Sequence, residues 1–186
     1  MSTYDFVHLA LMAMDGEVRG KTKLQKTVYF LGIMTGQIDE LGYSPHYYGP
    51  YSSQVKEAVN RLAALGFVAH NSIPFGGVDR SGFEMARHDY RLTDDGQVVA
   101  RQKAVADPEL WERLSRAAGT LRAAGDQDYM LMSVAAKTYF IVTQKGRKTT
   151  TAEVAEAAKQ LGWNPSTEEI QQAGEYLVRM GLLQAG

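Results

Sequence analysis

The chain of 186 residues is long enough for one large or two small domains, and 45% hydrophobic residues with 10% aromatic give it the means to bury real cores. It contains no cysteine, which excludes disulfides, thiolate zinc sites and a cysteine nucleophile. The net charge is −1 and evenly spread: residues 1–105 carry 11 Lys/Arg against 11 Asp/Glu and residues 106–186 carry 9 against 10, so neither half has the basic excess of a strong non-specific nucleic-acid binder.

The N-terminus Met1-Ser2-Thr3-Tyr4-Asp5 lacks the basic region and apolar core of a signal peptide, and no apolar run approaches the roughly 18 residues of a membrane helix. A cytoplasmic protein with no membrane partner is expected. The first helix reads as residues 4–14, capped by Ser2 or Thr3 and ended by Gly16. Gly16 to Thr22 resembles a phosphate loop, but three residues separate its glycines where four are needed, and a helix precedes it. It is read as an inter-helix turn. A second helix follows over 22–34, with Leu24, Val28 and Leu31 on one stripe and Lys21, Lys23 and Lys26 at its start. Three cations there oppose the helix dipole, a cost more easily borne beside an anion.

Tyr47-Tyr48-Gly49-Pro50-Tyr51-Ser52-Ser53 makes a turn into a third helix over 54–65. At least two of the three tyrosines are expected to pack beneath that helix; contact with phosphate or a partner is the other reading. Val55, Ala58, Val59, Leu62 and Leu65 form its inner stripe. Ser53, Glu57 and Asn60, flanked by Lys56 and Arg61, face outward and read equally well as a groove-reading surface or a solvated side. Phe67 to His70 and Phe83 to Leu92 make a hairpin around a Gly-rich loop, with Arg80 and Arg87 as possible phosphate contacts. Thr93 caps a short helix over 97–104.

A connecting helix spans 107–124 with Leu110, Trp111, Leu114, Ala117, Ala118 and Leu121 on one face. That face is apolar enough to suggest a homodimer seam, as is the helix after it, over 128–143. The basic loop Lys145, Arg147, Lys148 precedes two capping boxes, Thr150–Glu153 and Ser166–Glu169, which open the helices of a second helix-turn-helix. Gly181-Leu182-Leu183 reads as the start of a strand. His8, His46, His70 and His88 lack metal-ligand spacing, so no metal or other cofactor is expected. His8, inside an apolar helix, reads as a packed or hydrogen-bonded core group.

The expected fold is mainly α with a small antiparallel β wing: tandem winged-helix or helix-turn-helix modules, with a winged helix over 1–105, a connecting helix over 106–127 and a truncated second module over 128–186. Lys23-Leu24-Gln25-Lys26-Thr27-Val28-Tyr29-Phe30-Leu31, Tyr47 to Ser52, Leu62 to Phe67 and Tyr90-Arg91-Leu92-Thr93 resemble the YwgA-like winged-helix family of bacteria and archaea. They are more distantly similar to the Panacea (SocA-like) antitoxin domain, which also joins a lysine-rich helix to a glycine-proline turn. The resemblance covers roughly the first 105 residues and brings no catalytic residues. It implies a non-enzymatic binding protein. One expectation is a DNA-binding transcriptional regulator, set among mobile elements or phage defence, with Lys21, Lys23, Lys26, Ser53, Lys56, Asn60, Arg61, Arg80, Arg87, Lys145, Arg147 and Lys148 as its DNA contacts. The other is an antitoxin-like adaptor that binds a protein partner and no nucleic acid.

Overall fold

The computed structural model describes residues 1–78, 84–125 and 128–184. The first helix, α1 (Thr3–Ala13), is capped by Ser2, whose hydroxyl accepts the Asp5 amide at 3.2 Å. Its middle is buried on nearly every side, His8 included. His8 Nε2–H donates to the Gly96 carbonyl at 2.8 Å, and the Lys103 ammonium donates to Nδ1 at 3.1 Å. The turn expected after α1 contains a strand, β1 (Glu17–Arg19), between two glycines at positive φ. Helix α2 (Lys21–Thr35) follows and ends at the left-handed Gly36. After a 3-10 turn at Ile38–Leu41 comes α3 (Ser53–Ala64), capped by Ser52.

Strands β2 (Val68–Val78) and β3 (Glu84–Leu92) complete an antiparallel sheet in the order β1-β3-β2. Register places Val18 opposite Tyr90, Val68 opposite Leu92 and His70 opposite Tyr90. With side chains alternating across a strand, Val18, Val68, Tyr90 and Leu92 share the buried face. The other face is a charged ladder: Glu17 pairs with Arg19 and Arg91, and Asp89 with Arg87.

Helix α4 (Asp94–Ala106) starts at Thr93, whose hydroxyl accepts the Gly96 amide and donates to the Gly66 carbonyl. Helix α5 (Pro108–Ala123) lays Leu110, Leu114, Ala117 and Ala118 against α1, α2 and α4. The face expected to form a dimer seam is therefore covered by the protein's own helices, and that argument for a dimer is withdrawn. Helices α6 (Tyr129–Lys145), α7 (Thr151–Gln160) and α8 (Thr167–Arg179) pack on one another, and both expected capping boxes are formed. Their core includes Trp163 and Tyr176 and also receives Tyr29 and Phe30 of α2. The segment 181–183 is a turn and not the expected strand; the Leu182 and Leu183 amides turn back to the Leu177 carbonyl, and their side chains pack on this second core. The architecture is mainly helical with one small antiparallel sheet, and α2 is common to both cores. No helix among the described residues is long and apolar enough to cross a membrane.

Candidate functional site

The segment from Pro45 to Ser52 has little regular structure and is held by side chains of α2. Gln25 makes two reciprocal bonds to Ser52: its Nε2 donates to the carbonyl at 2.9 Å, and its Oε1 accepts the amide at 3.0 Å. Lys26 Nζ donates to the Pro50 carbonyl at 2.6 Å. Ser52 also donates from its hydroxyl to the Leu41 carbonyl at 2.5 Å while capping α3. From the far side, Trp163 Nε1–H donates to the His46 carbonyl at 2.6 Å. Gly49, at φ 92°, lies so close to Lys137 that a Cβ would sit 3.0 Å from that side chain. The Lys-Leu-Gln-Lys run and the Gly-Pro-Tyr-Ser run are thus two halves of one clamp.

Beside this clamp lies an open cavity of about 460 Å³. The first turns of α2 give it Lys21, Thr22 and Leu24, with Lys26 at its base. Helix α3 gives Lys56, Val59 and Asn60, and the 46–51 segment gives His46, Tyr48 and Tyr51. The sheet closes it with His70 and Tyr90, whose rings stack 4.8 Å apart. Among the described residues no carboxylate lines this cavity, although the whole chain carries one more acid than base.

The consequences are visible in proton affinities. Lys26 is only 1% exposed, and burial, with the charge of Lys137 behind it, pushes its ammonium down to about 7. Lys21 is lowered by burial and then by the charge of Lys56. His88, whose Nδ1 stands 2.9 Å from His70 Nε2, is lowered by burial, then by Lys21 and His70. Lys21 and Lys56 repel each other across the mouth of this cavity, and an anion between them would relieve that repulsion.

The structure sorts the other expected contacts as follows. Ser53, Lys56, Asn60 and Arg61 are exposed on α3 as expected, with Glu57 among them. Arg61 diverges toward α1, its guanidinium 5.6 Å from the centre of the Tyr4 ring. The three lysines of α2 do not act together. Lys21 and Lys26 face this cavity, whereas Lys23 lines a separate cavity of about 350 Å³ with Met14, Arg122 and Tyr176. Lys26 is a correction, because a side chain this buried does not offer its charge to a passing duplex. Arg87 is half-buried on the ladder face, held through two nitrogens by Asp89. Arg80 lies outside the described residues.

Lys145, Arg147 and Lys148 are exposed, with Arg147 tied to Glu153 of the α7 capping box. Met132 of α6 lines the cavity that holds Lys23 and Thr27, and Thr143 lines another with Ile33 and Ile38. The tyrosine expectation also fails: Tyr47 is 71% and Tyr48 54% exposed, and only Tyr51 of the three is half-buried. The Ser44–Tyr51 bridge faces Tyr51 inward while the loop between carries its neighbours outward.

Gln25, His46, His70 and Tyr90 were not anticipated as members of a site. The available signal was the pairing of the two motifs, because a Gln-Lys dipeptide in an apolar helix calls for polar partners elsewhere. No group of three or more metal-ligating side chains occurs among the described residues.

Over 106 residues the chain is 33% identical to "Uncharacterized protein YwgA" of Bacillus subtilis (strain 168), a stretch covering 55% of this chain and 59% of that one. The match supports a YwgA-like family. It spans about three fifths of the relative's length. No family model matches the chain.

Proposed function

We propose that the protein is a DNA-binding regulator of winged-helix type, with α3 as the helix that enters the major groove. The observation that carries this reading is the order α1-β1-α2-α3-β2-β3 around a β1-β3-β2 sheet, with the outer side of α3 exposed. That is the order of a winged helix, in which the third helix reads base edges and the hairpin flanks it. Asn60 and Lys56 present an amide and an ammonium of the kind that pair with adenine and guanine edges. The binding surface is α3 with Lys21. Lys145, Arg147 and Lys148 do not line the cavity beside α3 and are left out of it.

A second reading has its own support. The exposed pair Tyr47 and Tyr48, ring edge to ring face at 4.9 Å, is the kind of aromatic anchor that protein partners bury, and it favours the antitoxin-like adaptor. Titration of a pool of random duplexes at near-physiological salt separates the two. The regulator enriches a sequence, and Asn60→Ala relaxes that preference at a cost of roughly 1–3 kcal/mol. Glu57→Gln tightens binding to all sequences by removing a carboxylate from beside the phosphates. If no sequence is enriched and no duplex binds better than about 10⁻⁴ M, the regulator reading is lost.

A further inference from the structure

We propose that the cavity between α2, α3 and the 46–51 clamp binds a free nucleoside monophosphate. Its phosphate would lie between Lys21 and Lys56, and its base against Tyr48 with Asn60 at its edge.

The inference rests on the cavity and is independent of whether α3 meets DNA. Its lining is one-signed in charge, which a chain of nearly neutral composition does not produce by default. The positive end of α2, whose first residues Lys21 and Thr22 line the cavity, opens on the same space. The cluster of lysines accounts for a phosphate but not for the remaining lining. The rings of Tyr48, Tyr51, His70 and Tyr90 form much of the rest of the wall, so the ligand carries a flat apolar part. Tyr48, half-exposed at the rim, offers a ring for stacking, and the exposed Asn60 amide both donates and accepts. A volume of about 460 Å³ suits a single nucleotide. A duplex backbone is excluded from the base of the cavity, where the Lys26 side chain is all but enclosed.

The test is calorimetric titration of the full chain with the four ribonucleoside 5′-monophosphates, their nucleosides, inorganic phosphate and a 5′-phosphorylated tetranucleotide. At least one monophosphate should bind more than about tenfold tighter than its nucleoside and than inorganic phosphate. Lys21→Ala and Lys56→Ala, at positions outside the core, should each weaken it roughly tenfold or more, as loss of a charge-assisted bond does. Tyr48→Ala should weaken the monophosphate and leave inorganic phosphate unchanged. The assignment is overturned if no monophosphate binds below about 1 mM, a standard free energy of only about −4 kcal/mol. It is equally overturned if inorganic phosphate or a nucleoside binds as tightly, if the tetranucleotide binds more tightly, or if the lysine variants leave affinity unchanged.

Discussion

Replacing Lys26 by methionine should make the protein more stable at pH 7, and the gain should shrink as the pH rises. In the unfolded chain a lysine holds its proton to about pH 10.4. In the fold burial, with Lys137 of α6 behind it, brings Lys26 down to about 7. Lys21, Lys56 and His46 around the same cavity add no carboxylate to offset this. Between those two pH values the unfolded state holds the proton and the folded state releases it, so folding stability rises with pH across that window. At about 1.4 kcal/mol per unit, the penalty is roughly 4 kcal/mol at pH 7 and roughly 2 at pH 9. Methionine keeps the length and apolar stem and has no such linkage. It gives up the bond to the Pro50 carbonyl, worth about 1–3 kcal/mol when the carbonyl is left without a partner. Urea unfolding of both proteins at pH 7, 8 and 9 measures the difference directly. Between the ends of that range the gap should move by about 2 kcal/mol in favour of the natural lysine. A gap that stays constant within about 0.5 kcal/mol would show that Lys26 is not held in this state and would refute the reasoning.

Three further outcomes follow from the packing. Gly96→Ala should destabilise the fold by about 3 kcal/mol or more in urea titration, because the new Cβ overlaps the Phe67 carbonyl oxygen, a backbone atom that cannot swing away; a loss below about 0.5 kcal/mol would contradict that contact. Trp163→Phe should cost about 1–3 kcal/mol by orphaning the His46 carbonyl, and amide exchange should accelerate at residues 46–51 while α4 and α5 keep their protection. His8 is held neutral, its proton affinity lowered by burial and then by the Lys103 charge. The stability present above about pH 6.5 should therefore fall as the pH drops toward the folded-state value, and His8→Gln should flatten that fall; an unchanged acid limb would reject it.

Periodic segments were legible from sequence because local physics decides them. The stripe of Val55, Val59 and Leu62, the Thr93 cap and the two Ser/Thr-to-Glu boxes appear in the structure where the sequence places them. Strand β1 was not legible. Glu17-Val18-Arg19 has the alternation of a strand, but three residues carry too little pattern, and its pairing partner is Arg91-Tyr90-Asp89, more than seventy residues away. The apolar face of α5 was visible, while the element that would cover it was not. A single stripe has no marker distinguishing a neighbour in the same chain from one in another, and here α1 and α2 supply the cover.

The site was half legible for a related reason. Lys21, Lys56 and Asn60 could be read as surface groups because their spacing puts them on outer helix faces. Lys26 could not, since charged side chains at a helix start usually remain solvated, and its partner, the carbonyl of Pro50, lies in a separate segment. Counting charges by halves was uninformative for the same reason. The carboxylates Glu17 and Asp89 are spent on the outer face of the sheet, pairing Arg19, Arg91 and Arg87. Lys21 and Lys56 line the cavity on the other side, where among the described residues no carboxylate joins them. Neutral totals therefore conceal a cationic cavity. The clamp that fixes Pro50 and Ser52 also holds Lys26 in the cavity wall, so the same residues both build the fold and shape the site.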